Sequence, residues 1–83
     1  MKKTISSEEY KVFLKILVEY REKAGLTQIQ LAERLGETQS FVSKLERGER
    51  RVDVIELLVL CDALGVPPGD FLAALQHAIV GGH

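Results

Sequence analysis

Between Thr27 and Leu45 the sequence leaves the backbone little freedom. Thr27, with Gln30 three residues on, forms a capping box that opens one short helix. Gly36 ends that helix, and Thr38 stands ready to cap the next only two residues later. Helices joined by so tight a turn cross steeply, so a small residue must stand where the second approaches the first; Ala32 stands there. The turn needs a positive φ, which Gly36 supplies without steric cost. Val42 and Leu45 are spaced to drop apolar anchors back onto the first helix, and Leu31 and Leu35 bury its other side. Together these features define a helix-turn-helix unit.

The remaining chain reads as helix too. Its two prolines, Pro67 and Pro68, fall together, and no stretch alternates apolar and polar residues between hairpin turns. Gly25, Gly36, Gly48 and Gly65 punctuate five helical segments. The first opens on a Ser6–Glu9 capping box and runs to about Ala24. Lys11, Lys15, Glu19 and Glu22 make one narrow polar stripe on it, and nearly everything else from Tyr10 to Tyr20 is apolar. A helix resting one side on a core needs only a ~100° apolar face. This helix is therefore either buried on two sides or in contact with a partner chain. The second helix carries Ile29, Leu31, Ala32 and Leu35. The third buries Phe41, Val42 and Leu45 and presents Ser40, Ser43, Lys44 and Arg47 opposite, with Gln39 in its first turn. Asp53 and Glu56 box the start of the fourth, where Val52 can staple onto Leu57, and Val54, Leu57, Leu60, Cys61 and Leu64 form its core face. The fifth follows Pro68 and buries Phe71, Leu72 and Leu75. These segments predict one all-α, five-helix domain over residues 1–78, its core at about 13–75, with a short tail at 79–83.

Composition narrows the function. With 83 residues, 46% hydrophobic and 28% charged, the chain has one domain's worth of core and no disorder signature. Its one cysteine, Cys61, excludes an internal disulfide and a cysteine-based zinc site. His77 and His83 lack partners at metal-ligand spacing, so no metal or other cofactor is expected. No apolar run approaches membrane-spanning length and no signal peptide is evident, which predicts a cytoplasmic protein. No nucleophile–base set and no glycine-rich phosphate loop after a strand is present, so no enzyme is expected. Net charge is -1, unlike many nucleic-acid binders. Position matters more than the total: Lys44 to Arg51 holds four basic residues against two acidic ones.

The stretch GLTQIQLAERLGETQSFVSKLERGERR (residues 25–51), with DALGV at 62–66, resembles the DNA-binding domains of phage repressors and Cro proteins, the XRE-type helix-turn-helix family. The resemblance runs from about Phe13 to Leu75. It implies a phage-repressor-like fold, a third helix in the DNA major groove, and homodimers on palindromic operators. It places Gln39, Ser40, Ser43 and Lys44 at base-reading positions, where lysine suits guanine and glutamine suits adenine. Thr27 and Gln28 match phosphate contacts at a helix N-terminus, and Arg47, Arg50 and Arg51 fall where the family grips the phosphate backbone or approaches the minor groove. Glu49 and Asp53 dilute that basic loop, which implies modest, salt-sensitive affinity. Arg21 and Glu46 match positions that pair across the interior. The same residues also admit plainer readings: solvated helix positions for Ser40 and Ser43, an ordinary charged face for Lys44 and Arg47, packing for Phe41, an inert buried thiol for Cys61, and two exposed charges for Arg21 and Glu46.

Two functions are compatible with this reading. One is a sequence-specific transcriptional regulator, most simply a repressor, with double-stranded DNA as partner and no small-molecule effector evident. The other is a protein-interaction module of the same fold, an antitoxin or adaptor. A homodimer is expected to use Val12 and Ile16 of the first helix, or Ala73, Ala74 and Leu75 of the fifth.

Overall fold

The computed structural model describes residues 7–81. It contains α1 (Ser7–Lys23), α2 (Gln28–Leu35), α3 (Gln39–Glu46), α4 (Val54–Leu64) and α5 (Pro68–Gln76), followed by a π-helical turn at His77–Gly81. No strand occurs among the described residues, so the class is all-α. Ser6 of the expected first capping box lies outside them, as do residues 82 and 83.

Local chemistry sets the helix boundaries. The Thr27 side chain accepts from the Gln30 N–H at 3.1 Å, and Gln30 Oε1 accepts back from the Thr27 N–H at 2.8 Å. Asp53 and Glu56 repeat the box at 2.8 and 3.1 Å. The Thr38 hydroxyl oxygen caps α3 by accepting from the Phe41 N–H at 3.1 Å. At the end of α2, Gly36 takes φ 69°. The Gly36 and Glu37 N–H groups then return to the Glu33 and Ala32 carbonyls at 3.2 and 2.9 Å, the paired closure of a Schellman motif. That closure turns the chain within two residues and aims α3 across α2.

α1 packs on α3 and α5, α2 on α3 and α4, and α4 on α5. Phe71, Leu17, Leu31, Val42 and Cys61 are the largest fully buried side chains at their common centre. Phe13 meets Phe71 edge-on at 5.6 Å and Tyr20 stacks on it at 5.4 Å, so α1 and α5 share an aromatic seam. The wide apolar surface of α1 is consumed inside the molecule. Phe13, Leu14, Ile16 and Leu17 are buried, with Tyr10, Val12 and Tyr20 packed beside them. Burial on two sides is therefore the answer for α1, and the expected exposed patch of Val12 and Ile16 is not there.

Two expected core residues, Val54 and Leu72, are exposed instead. Val54 is 67% exposed, although its spacing from Leu57 and Cys61 is helical, because α4 begins beyond the edge of the core. It faces an open cleft shared with Tyr10, Phe13 and Leu75. Leu72 follows Phe71 by one residue, a 100° rotation that carries it off the buried side, and it is 48% exposed. Ile29, in the first turn of α2, is 59% exposed. At the C-terminal end, the π-helical turn at His77–Gly81 follows α5 directly and packs against α1.

Gly48 separates two contributions to stability. Its φ is +76°, and a Cβ there would lie 2.9 Å from Leu14 Cδ1 inside the core. Gly65 has φ +72° with nothing within 4 Å of its would-be Cβ. Gly65→Ala should cost only the left-handed backbone penalty of about 1–2 kcal/mol. Gly48→Ala should cost measurably more, because a buried leucine must also move. Urea denaturation of the two variants compares them, and equal losses would refute the packing contribution.

Candidate nucleic-acid interface

α3 is held by its inner face and offers its outer one. Val42 is 0% and Leu45 2% exposed, while Gln39, Ser40 and Lys44 are exposed and Ser43 is half-buried. Positions i, i+1, i+4 and i+5 share one side of a helix, so these four polar residues form one surface.

Behind α3 lies a polar network. Arg21 donates to Glu46 through Nε at 2.6 Å and Nη2 at 3.2 Å, and through Nη1 to the Leu26 carbonyl at 2.8 Å. The two side chains are only 12% and 6% exposed. Gln28 Nε2 donates to Glu46 Oε1 at 2.8 Å, and Gln28 Oε1 accepts from Gln39 Nε2 at 2.7 Å. One glutamine at the start of α2 thereby ties the first and last residues of α3 together. The family resemblance marked Gln28 only for phosphate contact; its bridge joins residues 18 and 11 positions away and leaves no local signal.

The loop arginines have internal partners. Arg47 donates to Glu49 Oε2 at 2.8 Å and Oε1 at 3.3 Å, and also to the Ser43 hydroxyl oxygen. Arg50 donates to Glu56 Oε2 at 2.6 Å and lies 4.8 Å from the Phe41 ring centroid. Arg51 sits 4.2 Å over the Tyr10 ring, and the Tyr10 hydroxyl oxygen accepts from the Val52 N–H at 3.1 Å. Tyr10 thus joins α1 to the loop between α3 and α4, a role its apolar-face position did not reveal. The hydrogen bonds from Arg47 hold the Glu49 carboxyl below the ordinary glutamate range. Arg50, then the Asp53 backbone N–H, do the same for Glu56. Burial pushes the Cys61 thiol up, in keeping with an inert core residue.

Among the described residues, no group of three or more His, Cys, Asp and Glu is placed to hold a metal ion. No single described helix is long and apolar enough to cross a membrane. The chemistry available on this side of the molecule is hydrogen bonding and positive charge, presented by a helix of a width that a DNA major groove admits.

The helix-turn-helix family model matches residues 17–71. An uncharacterized HTH-type transcriptional regulator of Sinorhizobium fredii, y4dJ, is 48% identical over 46 residues, 55% of this chain. The match spans 60% of that relative's length, less than two thirds of it. Among solved structures, an XRE-family like protein from Pseudomonas syringae is 47% identical with a TM-score of 0.83, covering 93% of this chain and 96% of that one. The clp gene regulator ClgR of C. glutamicum is 28% identical with a TM-score of 0.75, covering 87% and 94%. The restriction-modification controller protein C.AhdI of Aeromonas hydrophila is 35% identical with a TM-score of 0.68, covering 80% and 98%.

Proposed function

The chain belongs to the XRE-type helix-turn-helix family, and from that premise we propose that it is a repressor that binds a palindromic DNA operator as a homodimer. The observation that carries the proposal is the outer face of α3. Gln39, Ser40, Ser43 and Lys44 lie together on a helix whose other side is locked into the core. In this reading they meet base edges, while Thr27, Gln28, Arg47, Arg50 and Arg51 pass along the phosphates. Repression follows from occupancy, since a dimer seated on a promoter excludes polymerase. The work takes place where the chromosome is, in the cytoplasm. Unbiased selection of DNA on the purified protein tests it. Enrichment of a sequence with two inverted half-sites about one helical turn apart is expected; recovery of random sequence would refute it.

The dimer is assigned to α4 rather than α1. Ile55, Leu58 and Val59 are 65, 47 and 53% exposed and share one side of the helix. An apolar stripe of this kind on so small a chain marks an interaction surface. Sedimentation at micromolar concentration should give a dimer, and Leu58→Glu should give a folded monomer. A wild-type monomer, with and without DNA, would remove the dimer from the proposal. A second reading, an adaptor or antitoxin whose partner is another protein, draws on the same stripe and is favoured if the selection recovers only random DNA.

A further inference from the structure

The arginines that follow α3 do not stand ready for DNA in equal measure. Arg47 is engaged by both carboxylate oxygens of Glu49, and Arg50 by one oxygen of Glu56. Both pairs are solvent-exposed, with side-chain exposures of 54% and 54% in the first and 43% and 32% in the second. A carboxylate and a phosphate present the same feature to a guanidinium: two anionic oxygens at a spacing the planar fork can grasp. An exposed pair of this kind is also weak, so it can be exchanged for another anion.

We propose that Glu49 and Glu56 are intramolecular stand-ins for DNA phosphates, holding Arg47 and Arg50 in the unbound protein and lowering backbone affinity to a set level. The inference rests on the DNA-binding reading above and adds an affinity-setting role for two acidic residues. Each arginine must leave its glutamate before it grips a phosphate, so each phosphate contact gains less than an unpaired arginine would provide. The exchange has a second consequence at Arg47, which also donates to the Ser43 hydroxyl oxygen. Moving Arg47 to a phosphate releases Ser43, one of the proposed base-reading positions, at the moment the helix enters the groove. The device acts on the sequence-independent part of binding. It weakens operator and random DNA alike, lowering overall affinity while leaving the ratio between the two unchanged.

The test is a double-mutant cycle read by DNA affinity. Glu49→Gln and Glu56→Gln remove charge and keep shape. In the α4 box, glutamine still accepts the Asp53 N–H, as Gln30 does for Thr27 in α2. Each variant should bind both the selected operator and a scrambled duplex more tightly, by about two- to fivefold per site, the range set by exposed ion pairs. The salt dependence should steepen at the same time, since net phosphate neutralisation rises. Loss of a negative charge near DNA would by itself raise affinity, so the decisive arm is the background. In Arg47→Ala, Glu49→Gln should gain little; in Arg50→Ala, Glu56→Gln should gain little. A gain of full size in those backgrounds, or none in the wild-type background while the protein still binds DNA, overturns the stand-in role and leaves the DNA-binding reading intact. A wild-type protein that binds neither duplex at low salt overturns both.

Discussion

Glu46→Ala should cost about 3–5 kcal/mol of folding stability, towards the lower end because the pair retains slight exposure. The loss is large beside the ~5–15 kcal/mol total of a small domain. Removing the carboxylate strands the Arg21 guanidinium at a site where its side chain is 12% exposed, and deprives Gln28 Nε2 of its acceptor. Arg21→Ala strands the opposite charge and also leaves the Leu26 carbonyl without its side-chain donor. Replacing both with apolar residues removes the uncompensated charge and should recover much of the loss. Recovery stays incomplete because Gln28 and the Leu26 carbonyl still lack their partners. A urea-denaturation double-mutant cycle should therefore give a large coupling energy, with the double variant more stable than the sum of the singles predicts. Independent losses that add would show that the two residues do not act as a pair. The network also fixes both ends of α3, since Gln28 carries the link from Glu46 to Gln39.

The second large effect lies in DNA binding and separates base reading from backbone grip. Lys44 is exposed on the outer side of α3, whereas Arg51 lies in the loop beyond it, over the Tyr10 ring. Lys44→Ala should cost about 1–3 kcal/mol per half-site on the preferred operator and relax preference at one base pair in each. Arg51→Ala should weaken operator and scrambled DNA together and lower the magnitude of the salt slope by about one per phosphate contacted. A symmetric dimer doubles both effects. Titration of each variant against both duplexes at several salt concentrations distinguishes them. An equal loss on both duplexes from Lys44→Ala would mean that α3 does not read bases. No change from either variant would move the proposal to the protein-interaction alternative.

The helix boundaries were legible because their causes are local. Thr27, Thr38 and Asp53 cap within three residues of themselves, and Gly36 turns the chain with its own φ. The fourth and fifth helices show where periodicity ran short. Leu57, Leu60, Cys61 and Leu64 are buried as the spacing requires, but Val54 continues the same phase past the end of the core. Periodicity tells which side of a helix faces inward; it carries no information on how far the neighbouring helices extend. For the same reason α1 looked over-supplied with apolar residues until α3 and α5 were in place on either side of it.

What the sequence determined by itself was the helix-turn-helix, the order of the five helices and the outer face of α3, each set by contacts spanning a few residues. Tertiary structure alone decided which charges are spent inside the molecule. The Tyr10–Val52 bond spans 42 positions, Arg21–Glu46 spans 25 and Gln28–Glu46 spans 18. It also buried the apolar surface of α1 and left an exposed apolar stripe on α4. Side-chain partners are chosen by distance in space. That distance exists only once the helices have crossed.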